Sequence, residues 1–195
     1  MTFVPAENNY GGGTASVTVN VTKAAPAITW PAPAGIVYGT ALSVSQLNAS
    51  TTVAGTLTYT PAIGTLLNAG PQTLTVTFSP TDTANYSSAT ASVTLNVAKG
   101  TPSIAWSNPA AILYGTALGA AQLNATANAL GTYTYSPAAG TMLAAGSQQL
   151  SVTFTPNDAV NYTGASATRA IRVDPAPLQS RRTTRRRCSA RRCQR

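Results

Sequence analysis

Trp30 recurs as Trp106, and the same displacement of 76 positions carries Tyr38-Gly39-Thr40 onto Tyr114-Gly115-Thr116 and Gln46-Leu47-Asn48 onto Gln122-Leu123-Asn124. Gly64, Gly70, Phe78, Pro80, Asp82, Asn85 and Tyr86 move by the same offset onto Gly140, Gly146, Phe154, Pro156, Asp158, Asn161 and Tyr162, with no gap between the copies. Self-similarity at a fixed period marks a chain built from repeated structural units. A third, partial copy stands at the start: Thr2-Phe3 matches Thr77-Phe78, and Ala15-Ser16-Val17-Thr18 matches Ala91-Ser92-Val93-Thr94, one residue missing between them. The chain therefore divides into the end of a preceding module (1–22), a first module (23–98), a second module (99–174) and a tail (175–195).

Within a module the period is two. Leu74, Val76 and Phe78 alternate with Thr73, Thr75 and Thr77, and Ala89, Ala91, Val93, Leu95 and Val97 alternate with Thr90, Ser92, Thr94 and Asn96. That alternation is the signature of strands with one buried face. Further strands are expected over Ile28–Trp30, Ile36–Leu42, Leu47–Thr52, Leu57–Thr60 and Thr65–Leu67. Turn residues separate them at 31–35, 54–55, 61–64, 68–71 and 80–86. About seven short strands with turns at regular intervals predict an all-β, antiparallel sandwich. Ala is abundant, but it is interleaved with Thr, Ser and Val, which favour strands or resist helix.

The net charge of +8 is a property of the tail. Up to position 174, Lys23, Lys99, Arg169 and Arg172 balance Glu7, Asp82, Asp158 and Asp174. Every other cation is an arginine between Arg181 and Arg195, and both cysteines, Cys188 and Cys193, lie there too. No disulfide or thiolate metal site can be built in the modules. No apolar run approaches the length of a membrane helix, so membrane insertion is not expected. Met1 to Tyr10 lack the basic start and apolar core of a signal peptide, which places any export signal in flanking coding sequence.

The residues point away from catalysis. The chain has no His, which removes Ser-His-Asp and Cys-His chemistry. Glycosidases need two carboxylates flanking one bond, whereas the first module has Asp82 and the second has Asp158 and the boundary residue Asp174. A Ser-Lys pair would need Lys23 or Lys99, both in linkers. Gly11-Gly12-Gly13 lies between two strands and reads as a hairpin loop, not a phosphate cradle. No catalytic residue, cofactor-binding residue, metal ligand or cofactor is expected.

Some residues admit two readings. Asp82 and Asp158 stand in D-x-x-N-Y: a calcium site would need several more oxygen ligands, whereas an Asx-type turn needs only the local backbone, with Tyr86 and Tyr162 packing the loop down. Trp30 and Trp106 could stack on a sugar or plug the core. Burying an indole removes roughly 150–250 Å² from water, at most about 4–6 kcal/mol, and one Trp at a fixed place on an early strand favours the core. Tyr133 and Tyr135 share a strand face, but Leu57 takes the first of those places in the other copy, which again favours core over a carbohydrate platform. Asn-x-Ser/Thr triplets at Asn20, Asn48, Asn85, Asn124 and Asn161 follow from a Thr- and Ser-rich composition and are assigned no function.

The run I-x-W, Y-G-T-A-L, Q-L-N-A, G-T-x-x-Y-x-P and V-T-F-x-P-x-D-x-x-N-Y resembles bacterial immunoglobulin-like repeats. More narrowly it is similar to the MBG type, with its Tyr-Gly signature at Tyr38-Gly39 and Tyr114-Gly115. The resemblance spans essentially 1–174. It implies tandem immunoglobulin-like modules of an adhesin-like protein, secreted or at the cell surface, used as a stalk or spacer, with neighbouring modules as partners and no catalytic residues to transfer. A glycan or protein ligand is the alternative. One position departs from the pattern: Arg169 stands where the other copies have Val17 and Val93, on the inward face. It is expected near the strand end, where its head can reach water; a covering module is the other reading.

Both ends read as accidents of gene delimitation. Met1-Thr2-Phe3 aligns with Val76-Thr77-Phe78, so the start is expected to fall inside a strand of a broken module, frayed or packed on the first complete one. The arginines of 181–195 could contact phosphates, making nucleic-acid binding a second alternative, but no aromatic accompanies them. Arg-rich, Cys-containing ends are also what GC-rich DNA yields out of frame, and one frame-shifted back-translation of Gln179–Arg195 reads like the opening of another module. The tail is expected to be disordered and a frameshift product.

Overall fold

The computed structural model describes residues 2–4, 6–7, 9 and 13–177. The arginines and cysteines of the tail, Met1 and Gly11-Gly12 lie outside the described residues. The chain divides into two compact units, Met1–Gly100 and Thr101–Arg195, and the described residues are all-β, with no helix.

In the first unit β1 (Thr2–Phe3) and β2 (Gly13–Thr14) form a small antiparallel pair. The body follows: β3 (Ile28–Thr29), β4 (Ile36–Val37), β5 (Ser50–Thr51), β6 (Gly55–Thr60), β7 (Gly70–Pro80) and β8 (Ala89–Ala98). β3 and β5 pair in one sheet, and β4-β8-β7-β6 form the other. The second unit has β9 (Ile104–Ala105), β10 (Ile112–Leu113), β11 (Thr126–Ala127), β12 (Gly131–Ser136), β13 (Gly146–Pro156) and β14 (Ala165–Asp174), in sheets β11-β9 and β10-β14-β13-β12.

The long hairpin of each unit follows from its alternation. Leu74, Val76 and Phe78 on β7 have no exposed surface, and neither do Leu150, Val152 and Phe154 on β13, while their Thr and Ser neighbours face outward. Leu42, Leu47, Leu67, Leu95 and Val97 close the first core against them, with Trp30, Ile36, Tyr38 and Tyr59 packed alongside. A glycine opens each of the strands beside this hairpin for a steric reason. A Cβ on Gly55 would strike the Phe78 ring and the Ser79 carbonyl, and one on Gly131 would strike Phe154 and Thr155.

Several expectations need correction. The sheets are not wholly antiparallel: β4 runs parallel to β8, and β10 to β14. The strand expected over Ile36–Leu42 stops at Val37, because Gly39 takes φ +93° and Thr40 N–H bonds back to Val37 O at 3.0 Å. Only a glycine enters that region without cost, so the Tyr-Gly signature is a turn. Ala41 resumes pairing through one bridge to Leu66, which is all that remains of the strand expected at Thr65–Leu67. The strand expected from Leu47 shrinks to Ser50–Thr51, since Ser43–Leu47 forms a turn closed by Gln46 N–H and Leu47 N–H on Ser43 O. Gly70-Pro71, read as a turn, instead begins β7. There β7 has β8 on one side but β6 no longer reaches it, and a proline is tolerated where a strand is unpaired.

Residues 15–22 show how far a strand pattern depends on its sheet. The sequence matches β8, yet these residues form no strand, and Val17, Val19 and Val21 are 87%, 77% and 90% exposed. β8 forms between two neighbours, β4 and β7. Among the described residues the counterpart of β7 is Thr2–Phe3, and it pairs with β2.

Candidate functional site

Trp30 follows β3 and Trp106 follows β9, and both turn their rings toward the core. Trp30 Nε1–H donates to Gln46 O at 3.1 Å, and Trp106 Nε1–H to Gln122 O at 3.0 Å. The glutamines are held in turn: Gln46 Oε1 accepts from Ser43 N–H and Ser43 Oγ at 3.2 and 2.8 Å, and Gln122 Oε1 from Gly119 N–H at 3.1 Å. The indoles meet Tyr59 and Tyr135 edge to face, with centroids 5.5 and 5.6 Å apart, a favoured aromatic geometry. Sequence reasoning did not assign this role to Gln46 and Gln122. The signal was present, because both copies keep Trp and Gln 16 positions apart.

The tyrosines are engaged as well. Tyr135 Oη accepts from Ala125 N–H at 2.9 Å, Tyr59 Oη donates to Ala49 O at 3.3 Å, and Tyr133 packs on Phe154 with centroids 5.1 Å apart. Tyr133 and Tyr135 share a face as expected, but that face is half-buried and packed against the core. The rings raised as a sugar platform are therefore components of the fold.

The two aspartates close their own loops. Asp82 Oδ1 accepts from the N–H groups of Ala84 and Asn85 at 3.1 Å each, and Asp82 Oδ2 from Asn85 Nδ2 at 2.8 Å. Asp158 repeats this with Asn161, at 3.0 Å to the backbone and 2.8 Å to the side chain. This is the Asx-type turn. The side-chain hydrogen bond from Asn85, then its backbone N–H, holds the Asp82 carboxyl below its ordinary 3.8. Among the described residues no three His, Cys, Asp or Glu side chains gather as a metal would require.

Arg169 sits mid-strand in β14, not near its end. Its Nε–H donates to Trp106 O at 2.6 Å and its Nη1–H to Thr168 O at 2.7 Å. The position is tolerable because β10 pairs with β14 only at Val173 and Asp174. At Arg169 that side of the strand carries no ladder, and a half-buried guanidinium finds backbone carbonyls there.

One groove of about 400 Å³ is lined by Val44, Leu47, Leu57, Tyr59 and Ile63; another, of about 540 Å³, runs past Thr52, Val53, Asp82 and Tyr86. Neither brings together an acid, a base and a nucleophile.

No protein-family model matches the chain, and no curated protein does. Among solved structures the chain is similar to Drosophila N-cadherin EC1-4, at 14% identity and a TM-score of 0.33, over 80% of this chain and 50% of that one. The chain thus spans half the length of the structure it matches.

Proposed function

We propose that this chain is a non-catalytic stalk or spacer segment, made of tandem immunoglobulin-like sandwich modules with a 76-residue repeat, from a large adhesin-like bacterial protein that is secreted or displayed at the cell surface. The observation that carries the reading is where the recognition-capable side chains go. Trp30, Trp106, Tyr59, Tyr133 and Tyr135 are occupied in the cores, and the Asp82 and Asp158 carboxylates in their own turns. The Trp with its neighbouring Tyr, and the Asp with its Asn, take the same structural roles in both units, which supports the spacer reading. The residue resemblance to MBG-type repeats supports the same role and the same location.

Residues 23–174 screened against glycan and peptide arrays test this. A spacer gives no saturable binding; a saturable ligand whose binding is lost on changing surface residues of one unit would replace the spacer reading with the ligand-binding one. Comparing nucleic-acid binding with and without 175–195 separates any contribution of the arginines from that of the modules.

A further inference from the structure

β6 stands at the end of its sheet, and among the described residues nothing pairs with its outer side. Ala54 and Thr81, next beyond the β6–β7 ladder, are joined by a bond from Thr81 N–H to Ala54 O at 3.0 Å. Bonded and non-bonded pairs alternate along an antiparallel ladder. Thr56, Thr58 and Thr60 therefore bond to β7, while the N–H and C=O groups of Gly55, Leu57 and Tyr59 point away from it. Gly55 stands opposite Pro80, which has no N–H to give, in keeping with that phase.

Sheet edges are usually blunted by charged side chains, by proline or by a bulge. Gly55–Thr60 holds neither a charge nor a proline before its last pair at Thr60. Its register with β7 is unbroken from Gly55↔Pro80 to Thr60↔Thr75. Thr56, Thr58 and Thr60 are exposed on one face of the strand, and Leu57 and Tyr59 are half-buried on the other. Beside Leu57 lies the apolar groove, whose rim residues Val44 and Ile63 are 70% and 62% exposed.

The outward groups of this edge are complementary to themselves. Let a second copy approach antiparallel, with the two-fold axis at Leu57. Leu57 then faces its own counterpart, and Gly55 of each copy faces Tyr59 of the other. All are pairs of the bonded kind, each exchanging both N–H···O bonds, so every outward group from Gly55 to Tyr59 finds a mate. On the exposed face Thr56 stands opposite Thr58, a pairing that stabilises such a ladder. On the inner face Tyr59 comes opposite a residue with no side chain, and the two Leu57 side chains meet beside the grooves. The edge thus supplies its own best partner. We propose that the chain self-associates by joining two β6 edges in this antiparallel register, an isologous interface that continues the sheet β4-β8-β7-β6 into that of a second copy. The second unit is less suited to this. At its β12 edge Ala120 and Ala139 take the places of Val44 and Ile63, and Tyr133, packed on Phe154, takes that of Leu57. The inference is separate from the spacer reading, which would stand for a monomeric chain.

Sedimentation of the full chain over a wide concentration range tests the proposal, under reducing conditions so that Cys188 and Cys193 cannot cross-link. The expected result is reversible dimerisation, with amide exchange at Gly55, Leu57 and Tyr59 slowing as concentration rises. The variant T56K/T58K should weaken dimerisation by about tenfold or more, because each new Lys stands opposite a Lys of the second copy. T56E/T58E should do the same. Both places are exposed, so each variant should keep its melting transition. Mixing the two variants should restore dimers, since Lys then faces Glu. T132K/T134K, at the matching places of β12, should leave association unchanged. A chain that stays monomeric overturns the proposal. So does dimerisation that survives T56K/T58K, a mixture of the two variants that stays monomeric, or an equal response to T132K/T134K.

Discussion

The two units follow one plan but treat their tryptophans differently. Trp106 is 4% exposed, whereas Trp30 is only half-buried. Each has the same glutamine carbonyl and a tyrosine at the same angle, so the difference does not arise there. Among the residues that differ nearby, Val93 in the first unit is Arg169 in the second. The arginine Nε–H donates to the Trp106 carbonyl at 2.6 Å, a bond that valine cannot make. Its aliphatic stem is expected to add cover to the ring. Cation burial is avoided because the head ends on carbonyls at an unpaired stretch of strand.

The sharpest way to break this comparison is to remove what both units share. Phe154→Ala empties a site with no exposed surface and should cost about 3–5 kcal/mol. A unit of this size has total stability of about 5–15 kcal/mol, so its melting transition should fall far or vanish. The first unit's transition should stay in place in calorimetry. If both transitions move together, the two units do not unfold separately. Trp106→Ala comes next and should also cost about 3–5 kcal/mol. Trp30→Ala should cost less, since its ring starts half-exposed; equal losses would show that exposure does not distinguish the two sites.

Exchanging the differing residue sharpens the comparison. In Arg169→Val the second unit receives what the first already has. Trp106 emission, read in a Trp30→Phe background, should shift to the red as the ring gains solvent, with a stability loss of about 1 kcal/mol from the lost carbonyl bonds. Arg169→Ala should lose more than Arg169→Val, because it removes the packed stem as well. Identical losses for the two variants would assign the effect to the guanidinium alone. Val93→Arg is the converse, and it should bring Trp30 emission toward that of Trp106.

Much of this was legible in the sequence. β7, β8, β13 and β14 were visible because their alternation is long, and the aspartate turns because Asp and Asn three apart can satisfy each other locally. The failures share one cause: the deciding partner was distant or lacking. Nothing local says that Ile36–Val37 pairs in parallel with the end of β8, or that Gly70-Pro71 opens a strand beyond the reach of β6. Gly39 was read through because apolar residues flank it, although its positive φ ends the strand. The valines at 17, 19 and 21 carry a strand pattern, yet among the described residues no strand pairs with them. Arg169 was placed near a strand end, since an unpaired stretch in mid-strand shows only once the length of β10 is known.

The smallest expected effect lies in the aspartate turn that both units contain. Hydrogen bonds from Asn85 hold Asp82 charged to lower pH than an unconstrained carboxyl. A group whose carboxyl is easier to ionise when folded stabilises the fold above its unfolded pKa, and that contribution is lost as pH falls through the folded pKa. Asp82→Ala should therefore lower the first unit's melting midpoint slightly near neutrality, and the gap from the unaltered chain should close below the ordinary 3.8. Because Asp82 is solvent-exposed, its loop is expected to loosen without the sheet opening. A gap that persists undiminished in acid would mean that the side chain acts through packing, and that charge-assisted hydrogen bonding is not what closes the turn.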